Sequence, residues 1–230
     1  MEFWQAFSAP AGEEGPFTDR YPAPMPDGSR LVLPLRDYGE VAVAGFIANQ
    51  AAIAVAKRIG GWMAEAARDL GAEVVVGVPT LGQVFAPLVA EGLGHANWVA
   101  PGWSRKRWYE EALSVPASSS TAPAERRLWL DPRILPRLAG RRALLVDDVI
   151  STGSSALAGL ALLDRAGVRP AGLLVAMAQG DRWRGDWPAD IPVRAAFATP
   201  IFGRVAGGWL PRAGSAPVDL CPLMPREDAA

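Results

Sequence analysis

Residues 143–156 read ALLVDDVISTGSSA and concentrate the side chains best suited to chemistry. An aliphatic run ends in two adjacent carboxylates, Asp147 and Asp148. Two apolar residues later the chain enters Ser151-Thr152-Gly153-Ser154-Ser155. Small residues at a helix start let successive backbone N–H groups converge, and their hydroxyls add donors, so this segment suits a phosphate dianion. The carboxylates have the opposite task. They accept hydrogen bonds from a vicinal diol or hold a hydrated Mg²⁺. Phosphate at one end and diol at the other describe a ribose 5-phosphate. The plainer interpretation is an Asp cap and a hydroxyl-rich turn entering an ordinary helix. A lone Thr-Gly-Ser-Ser supports only that; the whole strand, acid pair, loop and helix support a ligand site.

Composition removes several other chemistries. His95 is the only histidine and Cys221 the only cysteine, which argues against a Ser-His-Asp hydrolase, a multi-histidine metal centre and a disulfide framework. The net charge of −1 lacks the basic footprint of a phosphate-gripping nucleic-acid binder. The N-terminus, MEFWQAFSAPAGEEG, has early acid and no sustained apolar run, so no signal peptide is expected. The charge-free stretch 74–90 is broken by Pro79, Thr80, Gly82, Gln83 and Pro87, which rules it out as a membrane span. A soluble, cytoplasmic protein with no membrane partner is the expectation.

The elements that must position the acids follow from periodicity. VVVGV (74–78), ALLVDD (143–148), AGLLVAM (171–177) and VRAAFA (193–198) are continuous apolar runs suited to strands covered on both faces. Further strands are expected near 96–100 and 126–130, and RLVLPL (30–35) should be an edge strand because of Pro34. A helical stripe runs from Phe46 to Leu70 and stops at Gly71, with Gly60-Gly61 as a bend. Other helices are expected up to Glu91 and from Ser151, the latter with a stripe of Ala156, Leu157, Leu160, Ala161 and Leu163. SVPASSSTAPAE (114–125) is small and polar, which predicts a mobile loop. Alternating strands and helices predict an α/β fold, a Rossmann-like open, mostly parallel sheet flanked by helices. The proline-rich segment 1–30 reads as an irregular arm. Residues 1–45 form that arm and part of a small irregular hood, 46–200 the core, and 201–230 the rest of the hood and a tail.

With these residues in view, the chain resembles the type I phosphoribosyltransferases. Their signature of hydrophobic strand, two acids and small-residue loop is matched from Leu144 to Ser155. The resemblance spans roughly residues 46–178. It implies transfer of ribose 5-phosphate from 5-phosphoribosyl 1-pyrophosphate to a base nitrogen, with Mg²⁺ and release of pyrophosphate. It places the 5′-phosphate on Ser151, Thr152, Gly153, Ser154 and Ser155. Asp147 and Asp148 take the ribose hydroxyls, with one helping to stabilise positive charge at the reacting carbon. Residues 74–94 resemble the family's first strand, pyrophosphate loop and helix, which implies that Pro79, Thr80 and Leu81 form the turn and that Gly82 lets backbone N–H groups approach the pyrophosphate. Taken alone, that stretch is simply a strand, turn and helix. Arg105 and Lys106 match an Arg-Lys pair that neutralises pyrophosphate, in relatives often across a homodimer. Their plainer role is a solvated basic cluster answered by Glu110 and Glu111.

The base is addressed by weaker matches. Phe46-Ile47-Ala48-Asn49-Gln50 resembles the first helix of the xanthine and purine-regulator branch, whose pattern is Phe-hydrophobic-Asn-His-Gln. The base-touching Asn falls on Ala48, and a one-position slip brings Asn49 into its role. A Lys that relatives aim at a base carbonyl is replaced near Gln179. Neutral amides donate and accept, so Asn49 and Gln179 suit the lactam edge of a 6-oxopurine, with Phe46 or Phe202 stacking on it. Purines are therefore expected ahead of orotate and uracil. The alternative is a non-catalytic sensor of phosphoribosyl pyrophosphate on the same fold. A pyrophosphokinase-like enzyme that makes phosphoribosyl pyrophosphate is a further alternative, but the chain is short for that duplicated architecture. Trp98, Trp103, Trp108 and Trp129 are expected in packing or at a dimer surface, His95 at the surface, and Cys221 as a packed thiol.

Overall fold

In the computed structural model, which describes residues 3–10, 14–119 and 122–225, the N-terminal segment is not an irregular arm. Strands β1 (Phe7–Ser8), β2 (Arg20–Pro24), β3 (Arg30–Asp37) and β4 (Val41–Ala44) build an antiparallel hood sheet. The core follows with α1 (Ile53–Ala66), β5 (Val74–Gly77), α2 (Gly82–Gly92) and the hairpin β6 (Ser114–Ser119) and β7 (Ala122–Trp129). A short α3 (Leu135–Leu138) leads to β8 (Arg142–Ile150), α4 (Ser154–Arg165), β9 (Arg169–Gln179) and β10 (Val193–Thr199). Strands β11 (Ile201–Val205) and β12 (Gly208–Pro211) return to the hood, where Phe202 pairs with Ala42. The two ends of the chain thus share one sheet, ordered β1-β3-β4-β11-β12 with β2 also on β3.

The core sheet is parallel and ordered β10-β9-β8-β5. Alternate residues feed two separate cores. Val75, Leu144, Val146, Leu174 and Phe197 pack with α1, α2 and the hood. Val74, Val76, Leu145, Leu173 and Val175 pack with α4 and the β6–β7 hairpin. Burial on both faces explains the unbroken apolar runs, and each buried Val or Leu contributes about 1.5–3 kcal/mol. The hood has its own aromatic contact: Tyr21 meets Phe202 edge-on at 4.9 Å, and Phe17 meets Tyr21 at 5.2 Å. Such pairs add about 0.5–1.5 kcal/mol each beyond area.

Several expectations change. Strand β3 is paired on both flanks rather than at an edge. Pro34 is tolerated because it faces the end of β4, where its carbonyl accepts from Gly45 N–H at 2.8 Å. The long helix begins at Ile53, after a separate 3-10 turn at Ala48–Gln50, and it does not start at Phe46. Gly60 is a point of close helix packing, since a Cβ there would lie 2.7 Å from the Cβ of Leu88 on α2. The strand near 96–100 shrinks to one bridge, Val76 with Val99. The expected mobile loop at 114–125 is the β6–β7 hairpin, with residues 120–121 outside those described. Its serines conceal an inward row of Val115, Ala117, Leu128 and Leu130. On α4 the buried face includes Gly159 and Leu162, while Leu160 is half-buried and Ala161 exposed. His95 is half-buried, with Nε2 enclosed and unpartnered among the described residues, instead of lying at the surface. Cys221 is buried as expected, and burial pushes its thiol up to about 12, which leaves it inert.

Candidate active site

Strand β8 places the acids. It runs between β5 and β9, so its carboxyl end opens at the middle of the sheet, where open α/β sheets bind ligands. Asp147 is only 5% exposed and Asp148 is half-buried. Oδ1 of Asp147 accepts the Asp148 N–H at 2.9 Å. Burial, then the neighbouring Asp148 charge, holds the Asp147 carboxyl well above the usual range. Burial pushes Asp148 up to about 6. Two acids this close share protons, and a cation or polarised diol would draw both toward the ionised form. Perturbed carboxylates at a sheet's ligand-binding edge mark a candidate site.

The phosphate loop follows directly. Gly153 adopts the left-handed conformation (φ +81°) at the N-terminus of α4, and no side chain caps that helix. A glycine meets this geometry without Cβ strain. Thr152 and Ser154 hydroxyls lie 3.2 Å apart, and Ser151, Thr152, Ser154 and Ser155 are all half-buried. The helix dipole and its unpaired N–H groups make this end receptive to an anion.

The second loop arrives from the neighbouring strand. Val78 N–H donates to the Val146 carbonyl at 2.8 Å, and the chain then turns through Pro79, Thr80 and Leu81, with a cis Pro79–Thr80 peptide, into α2. Gly82 lies against β8: a Cβ on it would stand 2.4 Å from the Val146 carbonyl oxygen and 2.9 Å from Asp147 Oδ1. Its lack of a side chain therefore admits the Asp147 backbone, a different reason from approach to a pyrophosphate. Loops 79–82 and 151–155 and both acids are brought together.

Other expected site residues lie elsewhere. Phe46 is buried, stacked on Phe85 at 6.1 Å and edge-on to Phe197 at 6.0 Å, and serves the core. Phe202 is buried in the hood aromatic cluster. Gln179 is buried and its Nε2 donates to the Ala44 carbonyl at 2.9 Å and to Thr199 Oγ1 at 3.3 Å. That amide ties β9 to the hood, so its donor is spent within the fold. Asn49 is exposed on the 3-10 turn. Arg105 pairs with Glu111 at 3.4 Å and lies 5.1 Å from the Trp129 ring; Lys106 is exposed. Trp108 is exposed, donates to Asp131 at 3.0 Å and carries Arg133 over its ring.

Two contributors escape sequence reasoning. Gln83 Nε2 donates to the Pro101 carbonyl at 2.6 Å, anchoring the first loop to the segment leading to Arg105. Trp183 packs beside Gly153, whose Cβ would lie 3.0 Å from that of Trp183. Nothing in the local pattern marks either one, because both act through partners distant in sequence.

Comparison with known proteins agrees with this layout. A family model described as a phosphoribosyl transferase domain matches residues 48–190. The adenine phosphoribosyltransferase of Erythrobacter litoralis is 35% identical over 112 residues, 46% of this chain and 56% of that protein. The orotate phosphoribosyltransferase of Nitrosospira multiformis is 39% identical over 64 residues, 28% of each chain. The chain spans about half the length, or less, of these curated relatives. The solved adenine phosphoribosyltransferase of Saccharomyces cerevisiae shares the fold at 19% identity with TM-score 0.52, covering 71% of this chain and 94% of that one. With a family model covering more than half of its residues, including both loops and the acid pair, this chain belongs to the phosphoribosyltransferase family.

Proposed function

We propose that the protein transfers ribose 5-phosphate from 5-phosphoribosyl 1-pyrophosphate to a purine and releases pyrophosphate. The observation that carries this is the meeting of loops 79–82 and 151–155 around the Asp147–Asp148 pair, at the carboxyl ends of adjacent parallel strands. Ser151 to Ser155 receive the 5′-phosphate, and the acids accept the ribose hydroxyls. Loop 79–82 faces the pyrophosphate. As the bond from the anomeric carbon to pyrophosphate oxygen breaks, that carbon gains positive charge beside the carboxylates. A base nitrogen attacks from the opposite face, forms the new C–N bond and loses its proton to solvent. No nucleophilic side chain is needed, which suits a chain with one Cys and one His.

The acid pair fits a hydrated Mg²⁺, which takes one or two carboxylates and completes its shell with water and substrate phosphates. Among the described residues no group of three acid, His or Cys side chains would hold a metal alone, so substrate must supply ligands. Bound there, Mg²⁺ would offset charge developing on the pyrophosphate. A homodimer in the cytoplasm belongs to the same proposal. In it the exposed Arg105 and Lys106 would reach the pyrophosphate of a neighbouring subunit, and no helix among the described residues is long and apolar enough to cross a membrane.

The longer match to an adenine enzyme favours a purine over orotate. The case for a 6-oxopurine rested on Asn49 and Gln179, with Phe46 or Phe202 stacking. The Gln179 amide donates to the Ala44 carbonyl and both phenylalanines are packed in the core, which leaves only exposed Asn49, so adenine is the first base to test. Purified protein is incubated with labelled phosphoribosyl pyrophosphate, Mg²⁺ and adenine, hypoxanthine, guanine, xanthine, orotate or uracil. Nucleotide from a purine is expected. Orotate turnover without any purine product refutes the base class, and binding without any product supports the sensor instead.

A further inference from the structure

Segment 181–187, DRWRGDW, follows β9 and meets the phosphate loop at Gly153 through Trp183. Trp183 sits in a 3-10 turn at Arg182–Gly185 and is 3% exposed. Its indole N–H donates to the Gly180 carbonyl at 3.1 Å. Trp187 meets it edge-on at 6.5 Å and donates in turn to the Ile191 carbonyl at 2.8 Å. On the solvent side the Arg184 guanidinium lies 4.9 Å from the Trp183 ring and holds both oxygens of Asp219 at 2.7 Å. The indole is therefore fixed by a hydrogen bond, a second indole and an ion-paired cation. That anchorage holds the Trp183 Cβ 3.0 Å from where a Cβ on Gly153 would stand, beside the residue whose left-handed turn shapes the loop.

We propose that Trp183 is a positioning residue for the phosphate loop. It touches no substrate; it holds the Gly153 turn in the shape that aims the α4 N–H groups at the 5′-phosphate. The physical need is plain. Glycine is the residue least restricted by its own sterics, so a left-handed glycine at a binding loop wanders unless a neighbour confines it. A rigid two-torsion side chain does this at low entropic cost. This inference rests on the proposed function, since it takes residues 151–155 as the receiver of a ribose 5-phosphate.

The test uses full-length protein with Trp183→Phe and Trp183→Leu. Both variants keep the Cβ beside Gly153; phenylalanine keeps a ring against Trp187 and Arg184 and loses only the indole N–H, whereas leucine loses the ring and the hydrogen bond that hold that Cβ in place. Affinity for ribose 5-phosphate is measured by calorimetry, and KM and kcat by the labelled assay. Trp183→Leu should weaken ribose 5-phosphate binding about tenfold or more, within the ~10²-fold that a ~1 Å misplacement can cost. KM for phosphoribosyl pyrophosphate should rise with it, KM for the base should stay constant, and Trp183→Phe should restore most of the affinity. A purely structural role would lower the melting temperature of both variants without separating the two KM values. In 5-fluorotryptophan-labelled protein, the ¹⁹F signal missing from Trp183→Phe should shift on ribose 5-phosphate titration. If the wild type binds ribose 5-phosphate while Trp183→Leu binds it equally, or that signal stays still, the positioning role is overturned alone. If the wild type binds none, the proposed function falls with it.

Discussion

Gly82 and Asp147 are packed so closely that a Cβ on the glycine would stand 2.7 Å from the Asp147 Cα. This contact joins the start of α2 to the end of β8 and fixes the spacing between the two loops. A helix that begins here cannot carry a side chain at its first residue without moving away from the acids.

Gly82→Ala should therefore separate the loops. Added volume against backbone that cannot rotate aside should cost about 1–3 kcal/mol, read from urea unfolding. Phosphoribosyl pyrophosphate binding, followed by calorimetry, should fall much further than stability does. Near-normal binding in this variant would show that the contact does not set the site.

Asp148 links the site to pH. Its folded pKa of about 6 lies above the ordinary 3.8, so the folded chain binds more protons between those values. Stability from this group is then present below about pH 4 and declines as pH rises to about 6. Asp148→Asn should raise stability at pH 7 by on the order of 1–3 kcal/mol, with no gain near pH 4, while abolishing turnover. A melting-temperature difference that is the same at both pH values would contradict the assignment. In the wild type, ligand affinity should weaken as pH falls below about 6 and the carboxylate takes up its proton.

Gly153→Val tests the phosphate loop. A β-branched residue at φ +81° is strained by about 1–3 kcal/mol, and its Cβ would meet Trp183. Ribose 5-phosphate binding should disappear in titration calorimetry. Affinity equal to wild type would sink the loop assignment.

Gln179→Leu separates a structural from a base-reading role. The change strands the Ala44 carbonyl beside Thr199, and an unsatisfied buried group costs about 1–3 kcal/mol. Denaturant unfolding should show that loss, with KM for phosphoribosyl pyrophosphate unchanged. Full stability with a raised KM for purine alone would return Gln179 to the base.

What the sequence by itself determined is local. The acid pair, the Thr152-Gly153 turn and the α4 start are contiguous, so their chemistry is readable without knowing what surrounds them. The apolar runs at 74–78, 143–148 and 171–177 likewise announce strands covered on both faces, because burial on two sides removes the polar alternation. Only the tertiary structure decided which side each remaining candidate faces. Phe46 resembles a base-stacking residue until Phe85 and Phe197 enclose it, and Gln179 resembles a base reader until Ala44 takes its donor. The serine-rich hairpin is held by burial of Val115 and Leu128, and the proline-rich N-terminus is drawn into a sheet through the Phe202–Ala42 pairing. These outcomes depend on contacts between residues far apart in the chain, and neither periodicity nor composition carries the identity of a distant partner.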